Sequence, residues 1–166
     1  DISGGKQPMT LKDRYTIVFN GQIYNHLDLR KQFALQCRTH SDTETLLAGF
    51  DAWGIEAMIQ QCIGMFAFAV WDRQERQLIL ARDRLGEKPL YYGRMGTVFV
   101  FGSELKALLA AGIPKPVIDR NALTLLLRHN YIPEPFSIYT GIQKLPAGGY
   151  LSLRAGDTTV PQPQRY

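Results

Sequence analysis

The stretch Met65-Phe66-Ala67-Phe68-Ala69-Val70-Trp71 is the longest purely apolar run in the chain. It is rich in aromatic and small apolar residues, and it is far shorter than the roughly 20 residues that a membrane-spanning helix needs. Alternate residues of a strand face opposite sides of a sheet, and both sets are apolar here. The stretch therefore predicts a strand that is covered on both faces, as in a layered fold.

Further strand and helix patterns surround this run, with turn residues between them. The predicted strands are Tyr15–Asn20 (ended by Gly21), 65–71, Gln77–Arg82, Leu90–Arg94, Val98–Phe101 and a late strand at 148–153. The predicted helices are His26–Leu35, Thr45–Trp53 (opened by a capping box at 41–44), Ile55–Cys62, Glu104–Ala110 and Asp119–Leu127. Helices grouped around several antiparallel-looking strands are typical of an α+β sandwich.

Composition excludes several classes of protein. The chain has 166 residues, 45% hydrophobic and 20% charged, which suits one globular domain. The net charge is +4, but the basic residues are scattered among acidic ones, so no nucleic-acid surface is expected. Two cysteines, Cys37 and Cys62, with no signal peptide, predict buried thiols in a reducing cytoplasm, and no metal-ligand spacing is present.

The segment Phe19-Asn20-Gly21-Gln22-Ile23-Tyr24-Asn25 is the most informative for chemistry. A polar amide at the end of a buried strand, followed by glycine, brings a side-chain N–H and a backbone N–H together. Such a pair stabilises a developing oxyanion. Asn-Gly is also a common turn dipeptide, so a plain strand-to-turn junction remains the alternative.

Three other groups of residues invite a functional interpretation and favour a structural one. His40-Ser41-Asp42 are consecutive, so they do not have the geometry of a catalytic triad, although Asp42 remains free to hold an ammonium group. The histidines and cysteines have no ligand or redox spacing, which favours surface histidines and structural thiols. Arg82 and Asp83 are interpreted as an ion pair that locks a turn.

Five stretches carry a family signal when they are taken together and in order. They are Phe19–Asn25 with Leu29-Arg30, Ser41–Glu44, Gly64–Asp72, Leu80–Tyr92 and Phe101–Leu108. Jointly they resemble the glutamine amidotransferase (class II, N-terminal-nucleophile) domain of glutamine-hydrolysing asparagine synthetases. The resemblance is strongest over residues 3–110, and the segments 131–133 and 142–148 look like the bridge toward a synthetase domain.

The resemblance implies a fold and a reaction. The fold is an αββα sandwich of two antiparallel sheets. A cysteine at the mature N-terminus attacks the side-chain amide of glutamine with its own α-amino group as the base, and the thioester is hydrolysed to glutamate. Ammonia passes to a second domain, where ATP and Mg²⁺ serve to activate aspartate or a related carboxylate. The amidotransferase domain itself is expected to need no cofactor or metal.

The resemblance also implies roles for four residues of this sequence. Asn20 would supply the oxyanion-hole amide and Gly21 its backbone N–H, while Asp42 would bind the α-ammonium of glutamine. Gln22 lies where the family usually has glutamate, so one charge-assisted contact to that ammonium would be weaker here.

The expected organisation is a fragment of a longer enzyme. Residues 1–112 would be the amidotransferase domain without its N-terminal segment, since the implied nucleophile and a substrate-binding arginine precede residues 7–9. Residues 113–166 would be the remainder and a linker, most clearly at 161–166, toward the synthetase domain. Expected partners are glutamine and that domain, with a homodimer left open, and the fragment alone would be inactive. The alternative is a degenerate, non-catalytic domain that serves packing or dimerisation.

Overall fold

The computed structural model describes residues 4–110 and 116–166. The strands are β1 (Met9–Leu11), β2 (Tyr15–Ile23), β3 (Gly64–Asp72), β4 (Gln77–Arg82), β5 (Tyr91–Met95), β6 (Val98–Gly102), β7 (Ile142–Lys144), β8 (Gly149–Arg154) and β9 (Gln164–Arg165). The helices are α1 (His26–Gln32), α2 (Asp42–Trp53), α3 (Ile55–Gln61), α4 (Leu105–Ala110) and α5 (Arg120–His129). The boundary expected at 112/113 lies outside the described residues.

The strands form two antiparallel sheets. The larger has the order β1-β2-β3-β4-β8-β9, and the smaller has the order β6-β5-β7. Both sheets therefore contain strands from before and after residue 112.

Alternate side chains of β3 face opposite sides of the large sheet, and each set packs against a different layer of the fold. Phe66, Phe68 and Val70 pack in one core cluster with buried side chains of α1, α2 and α3. Ala67 and Ala69, on the opposite face, pack in a second cluster with Tyr92 of the small sheet. The outer face of the small sheet packs against α4 in a third cluster. The αββα sandwich is confirmed, and β3 is apolar on both faces because both faces are covered.

Three local predictions at the N-terminal half are wrong. Gly21 does not end the strand, since β2 stays paired with β3 as far as Ile23. Helix α1 ends at Gln32 rather than Leu35, because Ala34 takes a left-handed backbone with φ 50°. The capping box is not formed either: in the described chain the Ser41 side chain makes no capping hydrogen bond, and the Glu44 carboxylate instead accepts from the N–H groups of Arg38 and Thr39.

The turn after β4 is held by Arg82 and Asp83 separately. Arg82 pairs with Glu134 rather than with Asp83, because successive side chains at a strand end face opposite sides. Its guanidinium also donates to carbonyls of Gly86, Lys88 and Leu145. The fully buried Asp83 carboxylate accepts from four backbone N–H groups, at positions 66, 85, 87 and 88. The predicted ion pair is thus wrong, although both residues do lock the turn.

The segment predicted as a linker is packed on the large sheet. Gln164 and Arg165 form β9, which pairs with β8. The Tyr166 hydroxyl donates to the Arg82 carbonyl over 2.9 Å, and burial raises the pKa of this tyrosine. Propensity gave no indication of this contact, because two paired residues are too few to produce a strand pattern.

Candidate functional site

The free edge of β2 presents three backbone N–H groups beyond the end of β1. The β1–β2 pairing stops at Met9 and Ile17. In an antiparallel ladder the residues that do not bond one neighbour direct their N–H groups to the other side. Phe66 lies opposite Gly21, but its N–H donates to the Asp83 carboxylate and its carbonyl accepts from the Asp83 N–H, in the turn after β4. The N–H groups of Phe19, Gly21 and Ile23 consequently all face the edge away from β3.

Two of these three N–H groups donate hydrogen bonds to side chains. The Phe19 N–H donates to the Gln7 side-chain oxygen over 2.5 Å, and the Ile23 N–H donates to Asp42 Oδ2 over 2.9 Å. Gly21 N–H lies between them, and no side-chain acceptor in residues 4–110 and 116–166 contacts it. This N–H is therefore positioned to receive a ligand oxygen.

Position 21 requires glycine for two separate reasons. Its φ is +151°, a conformation that other L-residues rarely adopt. A Cβ atom would also lie 2.1 Å from the Met65 carbonyl oxygen, far inside van der Waals contact. The Asn-Gly pair is thus explained by a close approach of two paired strands and not by a turn.

A cavity of about 410 Å³ lies over this edge, between β2 and the N-terminus of α2. Its lining is Gly5, Gln7, Phe19, Asn20, Gly21, Gln22, His26, His40, Ser41, Asp42 and Thr43. The structure thus brings together the four residues that the sequence selected, namely Asn20, Gly21, Gln22 and Asp42. Most of the exposed lining is polar, as suits a polar ligand.

Asn20 lies where this cavity meets a second one. The second cavity, of about 200 Å³, runs between the two sheets and is lined by Asn20, Leu90 and Phe101 among others. The Asn20 side chain is exposed, and its Nδ2 lies 3.4 Å from Ser103 Oγ, at the long limit of a hydrogen bond. This weak contact leaves the amide available to a ligand.

Asp42 ties β2 to α2 and still has capacity for a ligand. Its Oδ2 accepts from Ile23 N–H and its Oδ1 from Thr43 N–H, each over 2.9 Å. A carboxylate offers about four lone-pair sites, so two remain for a cation. From the sequence, Asp42 was expected to be free to hold an ammonium group. In the structure it also accepts the hydrogen bond from Ile23 N–H that ties α2 to β2.

Sequence reasoning missed His26, His40 and Gln7 as cavity residues. His26 is half-buried rather than on the surface, and burial lowers its pKa. Its Nδ1 is buried without a hydrogen-bond partner in the described part of the chain. The loop that carries His40 is fixed by Arg30, whose guanidinium donates to the carbonyls of Thr39 and Ser41. The Leu29-Arg30 motif was the available signal for that clamp.

Neither cysteine lines the cavity, and both have the character of packing residues. Cys62 is fully buried, its Sγ donates to the Met58 carbonyl, and burial raises its pKa to about 12. Cys37 is half-buried, and burial raises its pKa as well.

We expect both thiols to be poorly reactive in the native protein, because alkylation proceeds through the thiolate. At pH 7.5 Cys62, isolated in a Cys37→Ser variant, should react with iodoacetamide at least about 10³-fold more slowly than free cysteine. Cys37 should also react more slowly than free cysteine. The urea-unfolded chain is the control, and should react at the free rate. Native reaction as fast as that control would contradict the packing role.

Neither a metal-binding cluster nor a helix able to span a membrane occurs among the described residues. In the described residues, no three His, Cys, Asp or Glu side chains form a group that could hold a metal ion. None of the described helices is long and apolar enough to span a bilayer.

Comparisons with known proteins agree with the resemblance. The sequence model of a family described as "Glutamine amidotransferase domain" matches residues 1–166. "Asparagine synthetase [glutamine-hydrolyzing] 3" of Bacillus subtilis (strain 168) is 48% identical over 132 residues, covering 75% of this chain and 21% of that protein. A "Putative asparagine synthetase [glutamine-hydrolyzing]" of Mycobacterium tuberculosis (strain ATCC 25618 / H37Rv) is 38% identical over 179 residues, covering 100% of this chain and 27% of that protein.

A solved structure supports the fold alone. Glutamine phosphoribosylpyrophosphate amidotransferase from B. subtilis superimposes with a TM-score of 0.69 over 97% of this chain and 32% of its own, at 21% identity. The chain spans 21% and 27% of the lengths of the two curated relatives described above.

Proposed function

The chain belongs to the glutamine amidotransferase domain family, and on that premise we propose that it hydrolyses the side-chain amide of glutamine as part of a longer enzyme. The observation that carries the proposal is the edge of β2. One backbone N–H, that of Gly21, is open to the 410 Å³ cavity between two N–H groups that side chains already occupy. The Asn20 amide lies beside it and the Asp42 carboxylate lines the same cavity.

The proposed chemistry uses these donors at the point where charge develops. Attack of a cysteine thiolate on the amide carbon, as the family resemblance implies, converts the carbonyl oxygen into an oxyanion. The Gly21 N–H and Asn20 Nδ2 would receive that oxyanion, which stabilises the transition state more than the ground state. Collapse of the intermediate, with a proton delivered to the nitrogen, leaves a thioester and ammonia, and water then releases glutamate and regenerates the thiol.

Two side chains would hold the α-ammonium of glutamine. Asp42 retains lone pairs after its two backbone contacts, and these can accept hydrogen bonds from an ammonium group. Gln22 lines the same cavity and offers a neutral oxygen in place of the family's usual carboxylate. Asp42 is thus the one acidic side chain among the described residues that line the cavity, where the family resemblance implies a second.

The complete enzyme is proposed to be similar to a glutamine-hydrolysing asparagine synthetase. The names of the curated relatives support this proposal. The chains of those relatives extend well beyond the region that matches this chain. Its synthetase portion would bind ATP and Mg²⁺ and use the ammonia to amidate aspartate or a related carboxylate. The neutral Gln22 favours one alternative, a degenerate domain that no longer hydrolyses glutamine and serves packing or dimerisation.

An Asp42→Asn variant of the complete protein tests the assignment of the ammonium site. Hydrogen bonds to charged groups contribute about 1.5–3 kcal/mol, so KM for glutamine should rise by about 10- to 100-fold. The increase should appear mainly in KM, because the ammonium is held in the ground state and the transition state alike, and the asparagine oxygen can still accept from the Ile23 N–H that holds β2. Steady-state kinetics of glutamate release measures this.

Glu44→Gln is the matched control for that variant. Glu44 lies in the same first turn of α2, but its carboxylate contacts the backbone of Arg38 and Thr39 instead of the cavity. The control should leave KM for glutamine within about twofold. Equal increases in both variants would mean that general charge or helix stability, and not the ammonium contact, governs KM. Complete lack of glutaminase activity in the unsubstituted protein would favour the degenerate alternative.

A further inference from the structure

We propose that Gln7 is a positioning residue for the glutaminase reaction, and this inference rests on the proposed function. Gln7 would act through the main chain of Phe19, by fixing the segment of β2 that carries Asn20 and Gly21. The sequence motifs gave Gln7 no role of its own.

The Gln7 side chain continues a β-ladder that the main chain does not complete. Its Nε2 donates to the Phe19 carbonyl over 2.9 Å, and its Oε1 accepts from the Phe19 N–H over 2.5 Å. A primary amide carries the same donor and acceptor as a peptide group, so it replaces one residue of a strand. The backbone pairing of β1 with β2 stops at Met9, and Pro8, with no N–H, cannot donate to extend it.

This double contact fixes the chain immediately before the open N–H. The Phe19 carbonyl belongs to the peptide that contains the Asn20 nitrogen, so the Gln7 contact limits rotation of that peptide. Asp42 holds the strand on the far side of Gly21 through the Ile23 N–H. The Gly21 N–H is thus aimed by one side-chain contact on each side of it.

Gln7 also lies at the junction of the two cavities. It lines both the 410 Å³ cavity and the 200 Å³ cavity between the sheets, as do Phe19 and Asn20. Loss of its side chain would therefore allow water to compete for the freed groups of Phe19 next to the reacting centre. Both effects would misplace the oxyanion donors.

The test uses the complete protein with Gln7→Ala and Gln7→Glu, and with Thr10→Val as the control. Thr10 lies on β1, and its hydroxyl contacts the Thr16 hydroxyl on β2 without touching Phe19. Misplacement of a catalytic group by about 1 Å costs on the order of 100-fold, so kcat for glutamine should fall about 10- to 100-fold in Gln7→Ala. KM for glutamine and ammonia-dependent synthesis should stay within about twofold, and Thr10→Val should match the unsubstituted protein.

Gln7→Glu gives a pH signature that a merely structural role would not produce. The ionised carboxylate still accepts from Phe19 N–H, but it directs an oxygen with no proton at the Phe19 carbonyl. Protonation restores the donor. The ratio of kcat in Gln7→Glu to kcat in the unsubstituted protein should therefore rise as the pH is lowered, whereas the same ratio for Gln7→Ala should stay flat.

Amide hydrogen exchange separates this inference from the proposed function. In Gln7→Ala the Phe19 N–H should exchange at least about tenfold faster, with slow exchange kept in the core of β3. Unchanged exchange at Phe19, or faster exchange with unchanged kcat, would overturn the positioning role. If the unsubstituted protein releases no glutamate, the proposed function fails and so does the catalytic part of this inference. The exchange result would then report the structural contact of Gln7 alone.

Discussion

A polypeptide of residues 1–166 alone is expected to release glutamate from glutamine about 10⁶-fold more slowly than the complete protein, because loss of the nucleophile from a catalytic unit costs about that factor. Among residues 4–110 and 116–166, no thiol lines the 410 Å³ cavity. Cys62 is fully buried with a pKa raised to about 12, and Cys37 lies outside the cavity lining. Ser41 lines the cavity but is largely buried at the start of α2.

The measurement is coupled detection of glutamate with the isolated polypeptide at concentrations up to about 100 µM. Circular dichroism establishes that the polypeptide is folded, and a heat-inactivated sample gives the background. The complete protein, assayed in parallel, should show turnover. Glutamate release by the isolated polypeptide at more than about one thousandth of that rate would mean that a residue within this chain acts as the nucleophile.

The layered fold was predictable because its decisive strand has an unambiguous pattern. In β3 both residue sets are apolar, and the structure covers both, with helices on the Phe66 face and the small sheet on the Ala67 face. The helices α2 and α3 were also predicted close to their observed limits, because Gly54 separates the two helical patterns of apolar residues. These are cases in which local pattern and tertiary packing agree.

The features that were not predicted depend on tertiary contacts, which a local sequence pattern does not indicate. Glu44 has the spacing of a capping box, yet its carboxylate is used by the backbone of the preceding loop. Gly21 has the sequence of a turn, yet it lies in a paired strand because β3 approaches too closely for any Cβ. Gln7 completes a ladder with its side chain, a contact between residues twelve positions apart that periodicity does not encode.

The second large expected effect is that of Asn20→Ala in the complete protein. Removal of one oxyanion donor typically lowers kcat by about 10²–10³-fold, and we expect a decrease of that size for glutamine hydrolysis. KM for glutamine should change little, because the oxyanion forms in the transition state and not in the bound substrate. Asn20 is exposed, and its side-chain hydrogen bond to Ser103 is long at 3.4 Å, so its loss should cost little stability.

Asn25→Ala is the matched control, because it removes an amide from the same stretch of sequence. Asn25 bridges backbone groups of Gln61 and Ile63 and does not line the cavity. Loss of that bridge should lower the free energy of unfolding by about 1–3 kcal/mol while leaving kcat nearly unchanged. A decrease in kcat of equal size in both variants would assign the effect to the fold of this segment.

The most direct test of the proposed oxyanion site is the ratio of glutamine-dependent to ammonia-dependent synthesis in the Asn20→Ala variant of the complete protein. Ammonia supplied from solution bypasses the cavity over β2, so its use does not require Asn20. The account predicts that the ratio falls about 10²–10³-fold at saturating substrates while the ammonia-dependent rate is kept. An unchanged ratio, whether both rates are kept or both fall by the same factor, would contradict the assignment of this cavity as the glutaminase site.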